Sequence, residues 1–193
     1  PRALSGLAED TPTWDPDVFH AWQGDTWQLV SDSTSDAVTV TIDPALLSVL
    51  FGPGSASTLT SARAVVELAG YDWSELAGGD VRVGLGAINS SGQSAVGTVQ
   101  YQGDDIIGLG ITQNGSFRPR TEAPLESPQI ELSLRRVNAN TFGFYVNDQL
   151  LGDSVVVFPE GAPITLALTA SGRGTIISVS AFEVAFSPRS ELP

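Results

Sequence analysis

The sequence predicts an all-β fold, a two-sheet antiparallel sandwich built from about a dozen short strands. Twenty glycines and twelve prolines cut the chain into short segments, and those segments alternate apolar and polar residues with period two. Helical spacing is confined to one stretch. With 41% hydrophobic residues among 193, the chain can bury a substantial core, and no linker-like run interrupts its middle. It reads as a single domain over 1–193, with an N-terminal arm at 1–16 and a polar tail at 187–193 that resembles the start of a linker.

Taken in chain order, Val38, Val40 and Ile42 alternate with Thr39 and Thr41. A helical turn follows from Asp43 to Leu50, because Asp43 suits an N-cap and Pro44 the first helical position. Ala62, Ala64, Val66 and Leu68 face away from Arg63, Val65 and Glu67; Val81, Val83 and Leu85 face away from Arg82, Gly84 and Gly86. Val99 with Tyr101, then Ile107, Leu109 and Ile111, continue the pattern. Ile130, Leu132 and Leu134 oppose Glu131, Ser133 and Arg135, and Phe142, Phe144 and Val146 follow. Asn147-Asp148 tolerate positive φ, so residues 141–147 and 149–152 form a tight hairpin. Ile164, Leu166 and Leu168 precede a last run, 175–186, that changes phase. Ile177 and Val179 share one parity while Phe182, Val184 and Phe186 share the other, which calls for a bulge near Ala181 or burial on both faces.

Within the C-terminal third, the successive segments Gln129 to Arg136, Phe142 to Gly152, Ile164 to Ala170 and Ile176 to Phe186 resemble the concanavalin A-like lectin/glucanase superfamily. There, a strand of the I-E-L-R-R kind leads to an F-Y-V-N-G-x-L-V-G hairpin, an L-x-L-x-A strand and a last strand ending in an aromatic. Asp148 stands where the family has glycine. The resemblance covers about 128–186 and implies a jelly roll of two curved antiparallel sheets, of the kind found in carbohydrate-binding modules, laminin-G-like domains and glycoside hydrolases. The hairpin motif marks a fold and carries no function by itself.

Composition excludes more chemistry than it supplies. All nine basic residues are arginine, and 22 acids give a net charge of −13, so a phosphate-rich partner such as nucleic acid would be repelled. Without cysteine there is no disulfide, thiolate cluster or thiol nucleophile. One histidine, His20, cannot build a serine triad or, lacking cysteine partners, a usual zinc site; it reads as a surface or packing residue. No strand reads E-x-D-x-x-E, the carboxylate row of the laminarinase branch, and Glu67, Asp72 and Glu75 are wrongly spaced for it. Nothing approaches a membrane span of roughly 18 apolar residues, so no direct membrane insertion is expected.

What remains is recognition chemistry. In Gly84-Leu85-Gly86 and Gly108-Leu109-Gly110 the glycines share one parity, which either bares a sheet face to a ligand or permits curvature and close packing. On the first reading Arg82, Gln100, Tyr101 and Gln102 hydrogen-bond or stack against a sugar, and Trp73 is the aromatic platform. Trp22 and Trp27 read as packing residues that, with Trp14, pin the N-terminal arm. Calcium asks only for oxygen ligands, and Asp104-Asp105 are its candidate donors, with Asp148 and Asp153 or Asp72, Glu75 and Asp80 as other acid groups. Pro1 in place of an initiator Met fits a piece of a larger multidomain protein. The expected function is a non-catalytic extracellular recognition module that binds carbohydrate or another cell-surface ligand. The alternatives are a structural or sensory ectodomain that contacts protein, and a glycoside hydrolase with an unfamiliar acid pair.

Overall fold

Alternation along the chain becomes two antiparallel sheets packed face to face. The structure, a computed structural model, describes residues 2–3, 18–23, 26–31, 38–69, 81–103, 106–172 and 175–186. Its elements are β1 (Arg2–Ala3), β2 (Val18–Gln23), β3 (Thr26–Ser31), β4 (Val38–Ile42), α1 (Pro44–Phe51), α2 (Ser55–Thr58), β5 (Leu59–Ala69), β6 (Arg82–Ile88) and β7 (Ser94–Gly103). Then come β8 (Ile106–Gln113), β9 (Ser116–Pro124), β10 (Gln129–Asn138), β11 (Thr141–Val146), β12 (Gln149–Asp153), β13 (Thr165–Ser171) and β14 (Thr175–Phe186). The larger sheet runs β12-β11-β10-β5-β14-β3-β2, with β1 also paired to β14, and the six-stranded sheet runs β4-β13-β6-β7-β8-β9. The all-β jelly-roll sandwich expected from the sequence is the observed fold.

Each sheet turns one parity inward. From the larger sheet come Ala62, Ala64 and Val66, then Ile130, Leu132 and Leu134, then Phe142 and Phe144. Val83, Leu85, Val99, Leu109, Ile111, Leu166 and Leu168 meet them from the six-stranded sheet. Burying each such large side chain stabilises the fold by about 1.5–3 kcal/mol. Gly97 on β7 permits one close approach between the sheets, because a Cβ there would lie 2.9 Å from Phe144 Cβ. Phe158, from the loop after β12, meets Phe142 edge to face with ring centroids 5.4 Å apart.

Local signals explain the boundaries. Asp43 caps α1, its Oδ1 accepting the Leu46 N–H at 2.7 Å, and Gly52 ends the helix at φ 101°. The four-residue α2, which follows Gly54 at φ 80°, was not required by the sequence pattern. Asn147 and Asp148 both take positive φ, 47° and 62°, the two-residue hairpin expected there. Asn147 also holds β10, since its N–H donates to the Glu131 carbonyl at 2.8 Å and its Oδ1 accepts the Glu131 N–H at 2.9 Å. The phase change in β14 is a bulge: Val179 pairs with Val66 and Ala181 with Val65, leaving Ser180 extra.

Arg136 ties the end of the sandwich together. Its guanidinium lies 4.5 Å from the Phe142 ring centroid and donates to the carbonyls of Leu59 at 3.3 Å, Ala139 at 3.1 Å and Phe158 at 2.8 Å. On the outer face of the larger sheet, Arg63 bridges Glu131 at 2.7 Å and Glu183 at 3.5 Å, while Arg135 stacks on Tyr145 and pairs with Asp148. The hydrogen bond to Glu131 is the main reason that the Arg63 pKa rises. Among the described residues no helix is long and apolar enough to cross a membrane.

Candidate functional site: the outer face of the six-stranded sheet

Strand parity decides what this face carries. In β6 it is Arg82, Gly84 and Gly86; in register beside them on β7 stand Gln100, Thr98 and Val96. Gly108, Gly110 and Thr112 of β8 continue the same rows. On β9 the register shifts between Leu109 and Gly110, so Arg120 is an extra, exposed residue between Pro119 and Thr121. Phe117 lies opposite Thr112 and Glu122 opposite Gly108.

These glycines are not bare. A Cβ at Gly84 would sit 2.5 Å from Val96 Cγ1 and 2.9 Å from Thr169 Oγ1, and one at Gly108 would sit 2.5 Å from Gln102 Nε2. At Gly86 it would meet the Ala95 carbonyl, and at Gly110 the Arg118 carbonyl with the Phe117 ring 2.7 Å away. Backbone pressed against the outer side of both glycines is what a sheet curled toward that face produces. The glycines therefore serve curvature and close packing, the second of the two readings that the sequence allowed.

Curvature brings distant strands together. The Arg82 guanidinium carbon lies 5.1 Å from the Phe117 ring centroid, although β7 and β8 separate their strands. Beneath this bridge the buried Thr98 shares a hydrogen bond of 2.8 Å between its Oγ1 and Thr112 Oγ1, Thr169 Oγ1 donates to the Gly84 carbonyl at 3.4 Å, and the buried Val96 is apolar. Gln100 and Gln102 are both half-buried beside it. Glu122 is the one carboxylate on this face among the described residues.

Of the residues proposed from the sequence, Arg82, Gln100 and Gln102 share this face. Tyr101 does not. It is 2% exposed and turned into the core by the same alternation that turns Gln100 and Gln102 outward, and burial pushes its phenol pKa up. It is a packing residue, not a ligand contact. Trp73, the Asp104-Asp105 pair, Trp14, Asp72, Glu75 and Asp80 lie outside the described residues. So do the side chains of His20, Trp22 and Trp27, whose backbones pair in the β2–β3 ladder. Among the described residues no three acid or histidine side chains gather as metal ligands. Phe117 and Arg120 were missed because Pro119 and Pro124 obscured β9, yet Asn114-Gly115, at φ 47° and 81°, is a hairpin signal that would have disclosed the strand.

No family model and no curated protein sequence matches the chain. Solved structures resemble it in fold. The Crh5 transglycosylase without ligand aligns over 97% of this chain and 84% of its own at 10% identity, with a TM-score of 0.55. The same transglycosylase in complex with NAG aligns over 90% and 77%, at 10% identity and TM-score 0.55. A bifunctional GH43-CE protein of Bacteroides eggerthii gives 12% identity and TM-score 0.52 over 86% of this chain. This chain spans only 22% of that protein, and 28% of the GH43 protein BlXynB from Bacillus licheniformis. These likenesses show the fold, a two-sheet antiparallel jelly roll, the architecture that the resemblance of the C-terminal third implies.

Proposed function

We propose that the chain is a non-catalytic recognition module that binds carbohydrate on the outer face of the six-stranded sheet. The observation that supports this is a curled face that sets the amides of Gln100 and Gln102 and the hydroxyls of Thr112 and Thr169 on the same side as the Phe117 ring. Sugars ask for that mixture, because their hydroxyls pair with neutral polar groups and their C–H faces stack on a ring. The Crh5 structure in complex with NAG belongs to a protein of this fold, which supports the reading without assigning a ligand to this chain. Hydrolysis with retention or inversion needs two carboxyl groups flanking one bond, and the described part of this face offers Glu122 alone. With it we propose the extracellular placement, within a larger protein, that the sequence led us to expect.

A glycan array, followed by calorimetry on each bound glycan, tests it. Phe117→Ala and Gln102→Ala should each weaken binding about tenfold, roughly one stacking or hydrogen-bonding contact. A blank array would instead favour a structural or sensory domain. Release of reducing ends from a polysaccharide, abolished by Glu122→Gln, would replace recognition with hydrolysis.

A further inference from the structure

We infer that the ligand on this face carries an anionic group, one carboxylate or sulfate, received by Arg82 and Arg120; the inference rests on the carbohydrate-binding reading. Charge distribution is the first observation. The protein has 22 acids against nine arginines, yet the described outer face of the six-stranded sheet holds Arg82 and a single acid, with the exposed Arg120 in the bulge of its edge strand. On the outer face of the opposite sheet Arg63 is paired with Glu131 and Glu183, and Arg135 with Asp148, while Arg136, turned toward the core, is held by carbonyls.

Pairing is the second. Among the described residues neither Arg82 nor Arg120 makes an ion pair, and Arg82 rests on the Phe117 ring instead. A cation with no carboxylate partner among the described residues has its capacity open to an incoming anion there, and a guanidinium meets a carboxylate or sulfate through two parallel N–H donors. Stacking on the Phe117 ring holds that fork on the same face as Gln100 and Gln102. Two arginines match one or two charges, not a polyanion. At physiological salt the Debye length is about 8 Å, so acids on the far sheet hardly oppose one anion at this site.

The test is an array of paired glycans, each in a carboxylated or sulfated form and in its neutral methyl-ester or desulfated form, probed at physiological salt. At least one acidic member should bind ten or more times tighter than its neutral twin. Arg82→Gln and Arg120→Gln should each erase that difference, whereas Arg118→Gln, which alternation places on the other side of β9, should not. Carboxylate and sulfate arms distinguish the two anions. Equal binding of both twins, or acid preference untouched by Arg82→Gln and Arg120→Gln, overturns the anion assignment and leaves carbohydrate binding standing. No binding to either twin by the wild type overturns both. Arg120 is exposed, so its variant stays informative even where Arg82→Gln impairs folding.

Discussion

Tyr101 shows how one step of parity separates a ligand contact from a core residue. Its sequence neighbours Gln100 and Gln102 made it a candidate, but an aromatic ring between two outward amides on a half-buried strand must point inward. The buried phenol resists ionisation because its anion would lose water, so the folded state holds its proton to higher pH than the unfolded chain does. The contribution of this group to stability should therefore be level below pH about 10, the unfolded tyrosine value, and fall above it by up to about 1.4 kcal/mol per pH unit. Urea titrations across that range should show the slope, and Tyr101→Phe should remove about one proton's worth of it. Arg136 acts on the same scale through geometry: one planar fork serves three carbonyls from separate segments. Arg136→Met should cost about 2–4 kcal/mol in denaturant unfolding, and Arg136→Lys should recover little, since an ammonium cannot span those acceptors.

Elements were legible wherever local chemistry and burial agreed. Asp43-Pro44 announced α1, Asn147-Asp148 announced the β11–β12 turn, and the parity flip announced the β14 bulge. Replacing Asp43 by Ala should destabilise the fold by about 1 kcal/mol, the usual loss of one capping bond, measured as a lower unfolding midpoint. β9 escaped notice because it is an edge strand, where prolines and charges are tolerated on the unpaired side and alternation is weak. The β2–β3 ladder, Val18 to Ser31, which follows the arm at 1–16, was likewise left unassigned. The candidate site was legible only in part for the same reason: Arg82, Gln100 and Gln102 sit on well-patterned strands, whereas Phe117 and Arg120 belong to β9.

At the scale of the whole molecule, a net charge of −13 makes the folded state repel itself. Adding salt screens that repulsion, so calorimetric melting temperature should rise by a few degrees between about 10 mM and about 150 mM NaCl. The order of strands then decides which changes the chain can absorb. β14 lies inside the larger sheet and pairs with β5, β3 and β1. Its bulge leaves Ser180 without a partner position, while Phe182 and Val184 stay opposite Ala64 and Ala62. Excising Ser180 would thus close the ladder with every remaining pair preserved. Excising Glu183, three residues on, would rotate Val184 out of the core and turn the rest of the strand inside out. The bulge gives this strand a spare letter, one place where a codon can be deleted without changing how the remainder is read.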